Sequence, residues 1–253
     1  MDEGPKVWKI TQTGDYDNND YFFEYNDNGS IREKRINVKG KYPFVDTYTY
    51  EYEEDRLVKI IRDNGGAVMS GAEAHYTYNE AGQLVKYTTF LGAFTTLTYD
   101  AQGRLVKKND NDTHIYSDRY ETLYHYNALD QLVKEVYTIY NYSDGNVSYT
   151  DTWEYEYDAD GRLQTSTEIK DGTRTRWTHR YDYGPFEVRI SEENVWHLTL
   201  RDSLGTEIWQ GTFREPEITT NDDGLLISLT AKKDPPYNLT SCEITYAVKG
   251  HSE

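Results

Sequence analysis

The chain has one cysteine, Cys242, in 253 residues. It cannot form an internal disulfide, so the fold is not a disulfide scaffold. A lone Cys without a partnered His motif reads as a strand residue. Long apolar runs are also missing: none reaches the ~18 residues of a membrane span. No signal peptide is legible at Met1-Asp2-Glu3-Gly4-Pro5-Lys6, a start that fits a cytoplasmic protein or a chain beginning after a removed leader. Basic residues are scarce. Lys and Arg number 27 against 44 Asp and Glu, for a formal net charge of −17. Such a surface repels DNA, RNA and anionic lipid, and its main effect is solubility. No stretch sustains a 3.6-residue apolar period, so almost no helix is expected. Ser/His/Asp and phosphate-loop motifs are absent. The histidines (His75, His114, His125, His179, His197 and His251) show no zinc spacing.

Tyrosine is abundant, with 25 copies, and aromatics make up 15% of the chain. That content argues against disorder, and it favours half-buried strands in which a ring packs while its hydroxyl stays wet. An extended sheet with wet faces is expected before a compact aliphatic core. The tyrosines recur in a motif seen best in Tyr155-Glu156-Tyr157-Asp158-Ala159-Asp160-Gly161-Arg162-Leu163. Drifted copies begin at Tyr25, Tyr52, Tyr78, Tyr99 and Tyr126. Spacings in the twenties with strong strand propensity mean one β-hairpin per repeat.

The chemistry of one unit is readable. Trp153, Tyr155 and Tyr157 share a strand face, with Glu154 and Glu156 on the other. Asp158 starts a type I turn by accepting from backbone N–H groups, and Gly161 supplies the positive φ that closes it with a bulge. Asp130 takes the glycine slot in the fifth copy, and Asp tolerates that region better than most residues. The Leu after the turn should share the Tyr face. Val58, Val85, Val106 and Val133, one residue further, should point to the opposite face. Ser143-Asp144-Gly145-Asn146 and Lys170-Asp171-Gly172-Thr173 carry the type I′ signal at the other end, with Asn64-Gly65-Gly66 and Leu91-Gly92-Ala93 as equivalents.

The expected fold is all-β: an antiparallel β-hairpin repeat meander with a C-terminal capping β segment. Residues 1–20 form a strand and polar loop, 21–183 the repeats, and 184–253 the cap, since terminal repeats tend to be atypical. Ile218 to Leu226 reads as one more drifted repeat, and Lys233 to Tyr237 as a loop.

The copies at Leu97 to Leu105 and Tyr155 to Leu163 resemble the YD repeat of bacterial Rhs-type proteins, Tyr-x-Tyr-Asp-x-x-Gly-Arg-Leu. The resemblance covers about residues 20 to 165. It implies a wound β-sheet and an exported or cell-surface protein, of the short envelope type without a toxin domain and often lipid-anchored. It brings no catalytic residues.

The functional expectation is a non-enzymatic scaffold or protein-interaction module at the cell envelope, with no cofactor and no nucleic-acid partner. The alternative is a glycan-binding module in which Trp153, Tyr155, Tyr157, Trp177 and Tyr181 form an aromatic platform. The simpler reading of each ring is sheet packing. A carbohydrate-active enzyme using paired carboxylates ranks lower. The calcium-like runs Asp15 to Asp20 and Asn109 to Asp112 lack the full ligand pattern and read as polar loops, so no metal is expected.

Overall fold

The computed structural model describes residues 6–14, 18–40, 42–65, 70–111, 118–223, 225–231 and 239–246. Met1 to Pro5, Asp15 to Asp17, Gly66, Asp112, His114, Gly224, the loop from Lys233 to Tyr237, and His251 lie outside them.

Among the described residues there are twenty strands and no helix. They are β1 Val7–Gly14, β2 Asn18–Tyr25, β3 Ile31–Lys39, β4 Phe44–Glu53, β5 Arg56–Asp63, β6 Ala72–Tyr78 and β7 Leu84–Thr88. Then follow β8 Phe94–Tyr99, β9 Leu105–Asn111, β10 Arg119–Tyr126, β11 Leu132–Tyr140, β12 Val147–Tyr157, β13 Leu163–Lys170 and β14 Thr173–Tyr183. The last are β15 Phe186–Ser191, β16 Val195–Arg201, β17 Glu207–Arg214, β18 Glu217–Thr220, β19 Leu226–Thr230 and β20 Leu239–Tyr246. All belong to one hydrogen-bonded sheet with antiparallel ladders. The hairpin meander expected from the repeats is therefore present.

The chain divides into two compact units. The first comprises Met1–Arg56, Ile61–Gly71 and His179–Glu253; the second comprises Leu57–Ile60 and Ala72–Thr178. In the first unit a ladder runs β18–β19–β20–β1–β2–β3–β4, so the last strand lies between β19 and β1. A second ladder, β15–β16–β17, brings β17 against β20. Between these layers is an aliphatic and aromatic core that includes Ile10, Phe23, Val188, Leu198, Phe213 and Leu229, all at most 1% exposed. This departs from the expectation of wet sheets throughout. Apolar residues scattered over both chain ends meet only when the two ladders face each other. Cys242 is fully buried in β20 opposite Gln12 and Leu229, and burial pushes its thiol pKa up, so it is a core strand residue.

The repeat turn has one geometry. In the sixth copy the Asp158 N–H donates to the Arg162 carbonyl (2.9 Å) and the Gly161 N–H to the Asp158 carbonyl (3.1 Å). The Asp158 carboxylate accepts from the N–H groups of Asp160 (3.0 Å) and Arg162 (2.8 Å). Gly161 has φ +79°, as the closing position requires. Asn26, Asn79, Asp100, Asn127 and Asn221 begin turns with the same closing bond, and Asp130 has φ +61°. So does Asp202, on the segment Asp202-Ser203-Leu204-Gly205-Thr206. This copy has no anchor Tyr, and only its Asp-x-x-Gly spacing marks it in the sequence.

The anchor tyrosines have a second task. The hydroxyls of Tyr78, Tyr99, Tyr126 and Tyr157 donate to the carbonyls of Leu57, Leu84, Leu105 and Leu132, at 2.7–2.8 Å. Each anchor Tyr thus ties its hairpin to the anchor Leu of the preceding one. Tyr246 does the same to Leu226 in the first unit (2.8 Å).

Three local expectations are corrected. Tyr78 pairs with Leu84 but Thr77 with Lys86, and the same shift recurs at Tyr99/Leu105 and Tyr126/Leu132. The extra residue is the Val. It stands two positions before Tyr87, Lys108 or Glu135, so Val85, Val106 and Val133 join the Tyr face and do not oppose it. At Ser143 to Asn146 the Asp-Gly pair is not a type I′ turn: Gly145 donates to the Asn141 carbonyl, and Asn141 to that of Asn146, closing a longer loop. Lys170 to Thr173 is the two-residue turn expected, with φ +48° at Asp171 and +78° at Gly172. Leu91-Gly92-Ala93 instead has the repeat-type turn, closed from Thr89.

The short second copy turns through Glu54 (φ +49°) and Asp55 (φ +62°), two side chains in the left-handed region. Glu54→Asn should therefore stabilise the protein by ~0.5–1 kcal/mol, because Asn suits this turn position better. A urea midpoint that does not rise would contradict this.

Candidate functional site

Polar and aromatic groups collect on one face of the second unit. One row, read across the ladder, is Tyr76–Tyr87–Thr95–Asp110–Tyr120–Ile139–Tyr149. Another is Tyr124–Glu135–Trp153–Glu168–Thr175. A third is Tyr155–Ser166–Trp177. Paired residues in an antiparallel ladder point the same way, so all three rows share a face. Tyr76 stacks on Tyr87 (5.9 Å, 22°), Tyr120 on Tyr137 (6.2 Å, 14°), and Trp153 is tilted against Trp177 (6.5 Å, 31°).

Charged groups are set among these rings. The Tyr155 hydroxyl donates to Glu135 Oε1 (2.9 Å). Burial lifts the Glu135 carboxyl above its ordinary range, against the opposing pull of Tyr155 and Lys108. Burial, then the Glu135 charge, raises the Tyr124 phenol. Asp110 accepts from the Thr95 hydroxyl and pairs with Lys108 (3.0 Å). Burial pushes the Lys108 ammonium down, but Asp110 and Tyr87 lift it, and the net shift is upward. The opposite face is laced with ion pairs: Lys107–Glu121 (2.5 Å), Arg174–Glu154 (2.8 Å) and Arg176–Glu156 (2.8 Å).

Trp153, Tyr155, Tyr157 and Trp177 lie together on the aromatic face. Trp177 is buried at 7% exposure, and the other three are half-buried. The hydroxyl of Tyr157 is engaged by the Leu132 carbonyl. Tyr181 is exposed (51%) and belongs to the first unit. Sequence reasoning missed Glu135, Lys108 and Asp110. Their signal was parity: Val133, Glu135 and Tyr137 stand at i, i+2, i+4, so a carboxylate falls on the ring side.

Of the calcium-like runs, Asn18 to Asp20 lie in β2 and Asn109 to Asn111 in β9, so these parts are strand and not the polar loop expected; the Asp20 carboxylate is taken by Lys39 (2.7 Å) and Thr11 (2.9 Å). Among the described residues no group of three or more His, Cys, Asp or Glu is placed to hold a metal. Among them, too, no helix is long and apolar enough to cross a membrane.

In the first unit, His197 on β16 pairs with Arg189 and Thr212, and its Nδ1 lies 2.8 Å from the Thr212 hydroxyl. Burial, then Arg189, pushes its pKa down to about 4, and burial also lowers that of His179. A depressed folded-state pKa means that the neutral form stabilises the fold. That contribution is complete above the ordinary value of 6.5 and is lost as pH falls toward 4. Urea midpoints of the first unit should decline across this window, and His197→Gln should flatten the decline. An unchanged slope in the variant would refute the assignment.

Against known families, residues 78–115 match the model described as RHS Repeat. This segment is similar to an RHS repeat. No curated protein matches the chain. Among solved structures, the chain is similar to "TcdB2-TccC3-Cdc42", with 12% identity, 88% of this chain and 17% of that one covered, and a TM-score of 0.32. It is also similar to "TcdB2-TccC3 without hypervariable C-terminal region" (11% identity, 88% and 17% covered, TM-score 0.33). A porin-like protein from Bacteroides vulgatus ATCC 8482 aligns over 96% of this chain and 99% of its own, at 12% identity and a TM-score of 0.42. The chain spans only 17% of the first two.

Proposed function

We propose that this chain is a non-enzymatic β-repeat module, exported to the bacterial cell envelope, where it acts as a scaffold or protein-interaction surface. One observation carries the reading: the polar groups of the repeat motif are spent on architecture. The Asp158 carboxylate closes its turn, and the anchor hydroxyls bond to carbonyls of the preceding hairpin. Arg104 bridges its own turn to the next through Asp100 (2.8 Å) and Asp130 (2.7 Å). The repeat therefore builds a surface and keeps few reactive groups free. The test is affinity capture from envelope extracts with the wild-type chain and a Glu135→Lys, Tyr124→Ala variant. A partner held stoichiometrically by the wild type and lost with the variant supports the reading. Hydrolysis of a glycosidic substrate by the purified chain would overturn it.

A second reading, glycan binding, draws on the Trp153–Trp177 pair beside Glu135 and Tyr155. Aromatic rings with adjacent hydrogen-bonding groups suit sugar rings. Its test is a glycan array with wild type and Trp153→Ala; a blank array removes it.

A further inference from the structure

The sequence contains two Asn-Gly pairs, Asn28-Gly29 and Asn64-Gly65. In such a pair the glycine nitrogen can close on the asparagine side-chain carbonyl carbon, because no Cβ obstructs the approach. The fold treats the two pairs differently. Asn28 Nδ2 donates to Asp55 Oδ1 (2.7 Å), and its Oδ1 accepts from the Ser30 N–H (3.0 Å) and the Ser30 hydroxyl (2.7 Å). The Gly29 nitrogen is held inside the repeat turn, donating to the Asn26 carbonyl (2.9 Å). Ring closure there must break four hydrogen bonds.

Asn64 is held less firmly. Its Oδ1 is buried without a hydrogen-bond partner among the described residues, so rotation breaks no bond at that oxygen. Among the described residues the Gly65 N–H donates only to Asp63 Oδ1 (3.0 Å), which also accepts from the Ser70 hydroxyl (2.6 Å), and Gly65 has φ +71°; freeing the Gly65 nitrogen breaks this one bond. Asp-Gly pairs such as Asp144-Gly145 present a carboxylate, a weaker electrophile than an amide.

We propose that Asn64 is a site of self-modification. The Gly65 nitrogen attacks Asn64 Cγ, and its proton passes to solvent base. The side-chain nitrogen leaves as ammonia, and water opens the five-membered imide to aspartate or isoaspartate. The product places a new carboxylate beside Asp63, and isoaspartate adds one methylene to the backbone between β5 and β6.

The experiment ages native and urea-unfolded protein in parallel at mildly alkaline pH and maps the peptides by mass spectrometry. Unfolded, the two pairs should convert at similar rates. Native, Asn64 should gain about one mass unit while Asn28 lags on the order of a hundredfold, as the loss of several hydrogen bonds implies. Asp55→Ala with Ser30→Ala should release Asn28 and narrow that gap, and Asn64→Gln should abolish the isoaspartate signal at that position. A native ratio equal to the unfolded one, earlier conversion at Asn28, or a native Asn64 that stays intact while the unfolded one converts would each overturn the proposal.

Discussion

Asp202→Ala should lower the stability of the first unit by about 3–4 kcal/mol, since a buried carboxylate that satisfies several donors leaves them all unpaired when removed. Asp202 is 8% exposed. Its Oδ1 accepts from the N–H groups of Leu204 (3.0 Å) and Thr206 (2.7 Å), closing its own turn. Its Oδ2 accepts from the Ile31 N–H (3.0 Å) and the Tyr52 hydroxyl (3.3 Å), on strands 171 and 150 residues away. Ser203 adds a bond from its hydroxyl to the Asn28 carbonyl (2.9 Å), and a Cβ on Gly29 would meet that hydroxyl at 2.9 Å. The turn after β16 is thus clasped to the first repeat. The expected fall in melting temperature is about 10 °C, at roughly 2–4 °C per kcal/mol for a chain of this size. Asp202→Asn should cost nearly as much, because its amide sets N–H against N–H. Asp158→Ala, at an exposed turn with two such bonds, should cost only ~1–2 kcal/mol. If the two alanine variants melt alike, the clasp contributes nothing.

Replacing Tyr78, Tyr99, Tyr126 and Tyr157 together by Phe should destabilise the second unit by about 4 kcal/mol, with ~1 kcal/mol for each single change. Each substitution keeps the ring and removes only the bond to the preceding Leu carbonyl. The sites lie two strands apart, ~10 Å, so their effects should nearly add. Urea unfolding followed by circular dichroism checks this. A fourfold variant that loses less than ~1 kcal/mol would mean that water satisfies the freed carbonyls equally well.

The repeat turns were legible because their chemistry is local. Asp or Asn five residues before Leu or Ile, with Gly or Asp at the third position between, needs only neighbouring backbone to form. Asp130 in the glycine slot was foreseen on those grounds and has the positive φ expected. The Val face was misread because a bulge changes parity without a sequence mark of its own. The Asp-Gly at 144–145 was misread because loop length, more than the dipeptide, selects the turn type.

The candidate site was half legible. That Trp153, Tyr155 and Tyr157 share a face follows from strand periodicity. That Trp177 joins them, and that Glu135, Lys108 and Asp110 stand among the rings, depends on the register between strands. Each register shifts with loop length and with bulges that carry no sequence mark, and the site needs several registers in succession.

By itself the sequence determined the all-β class, the hairpin unit and the turns that close its repeats, because periodicity and turn chemistry act within about ten residues. Only the tertiary structure decided which residues form the first unit's core, that the last strand lies beside the first, and that Asp202 closes on Ile31. Those contacts depend on segments brought together from opposite ends of the chain, whose pairing is selected by the burial gained when they meet.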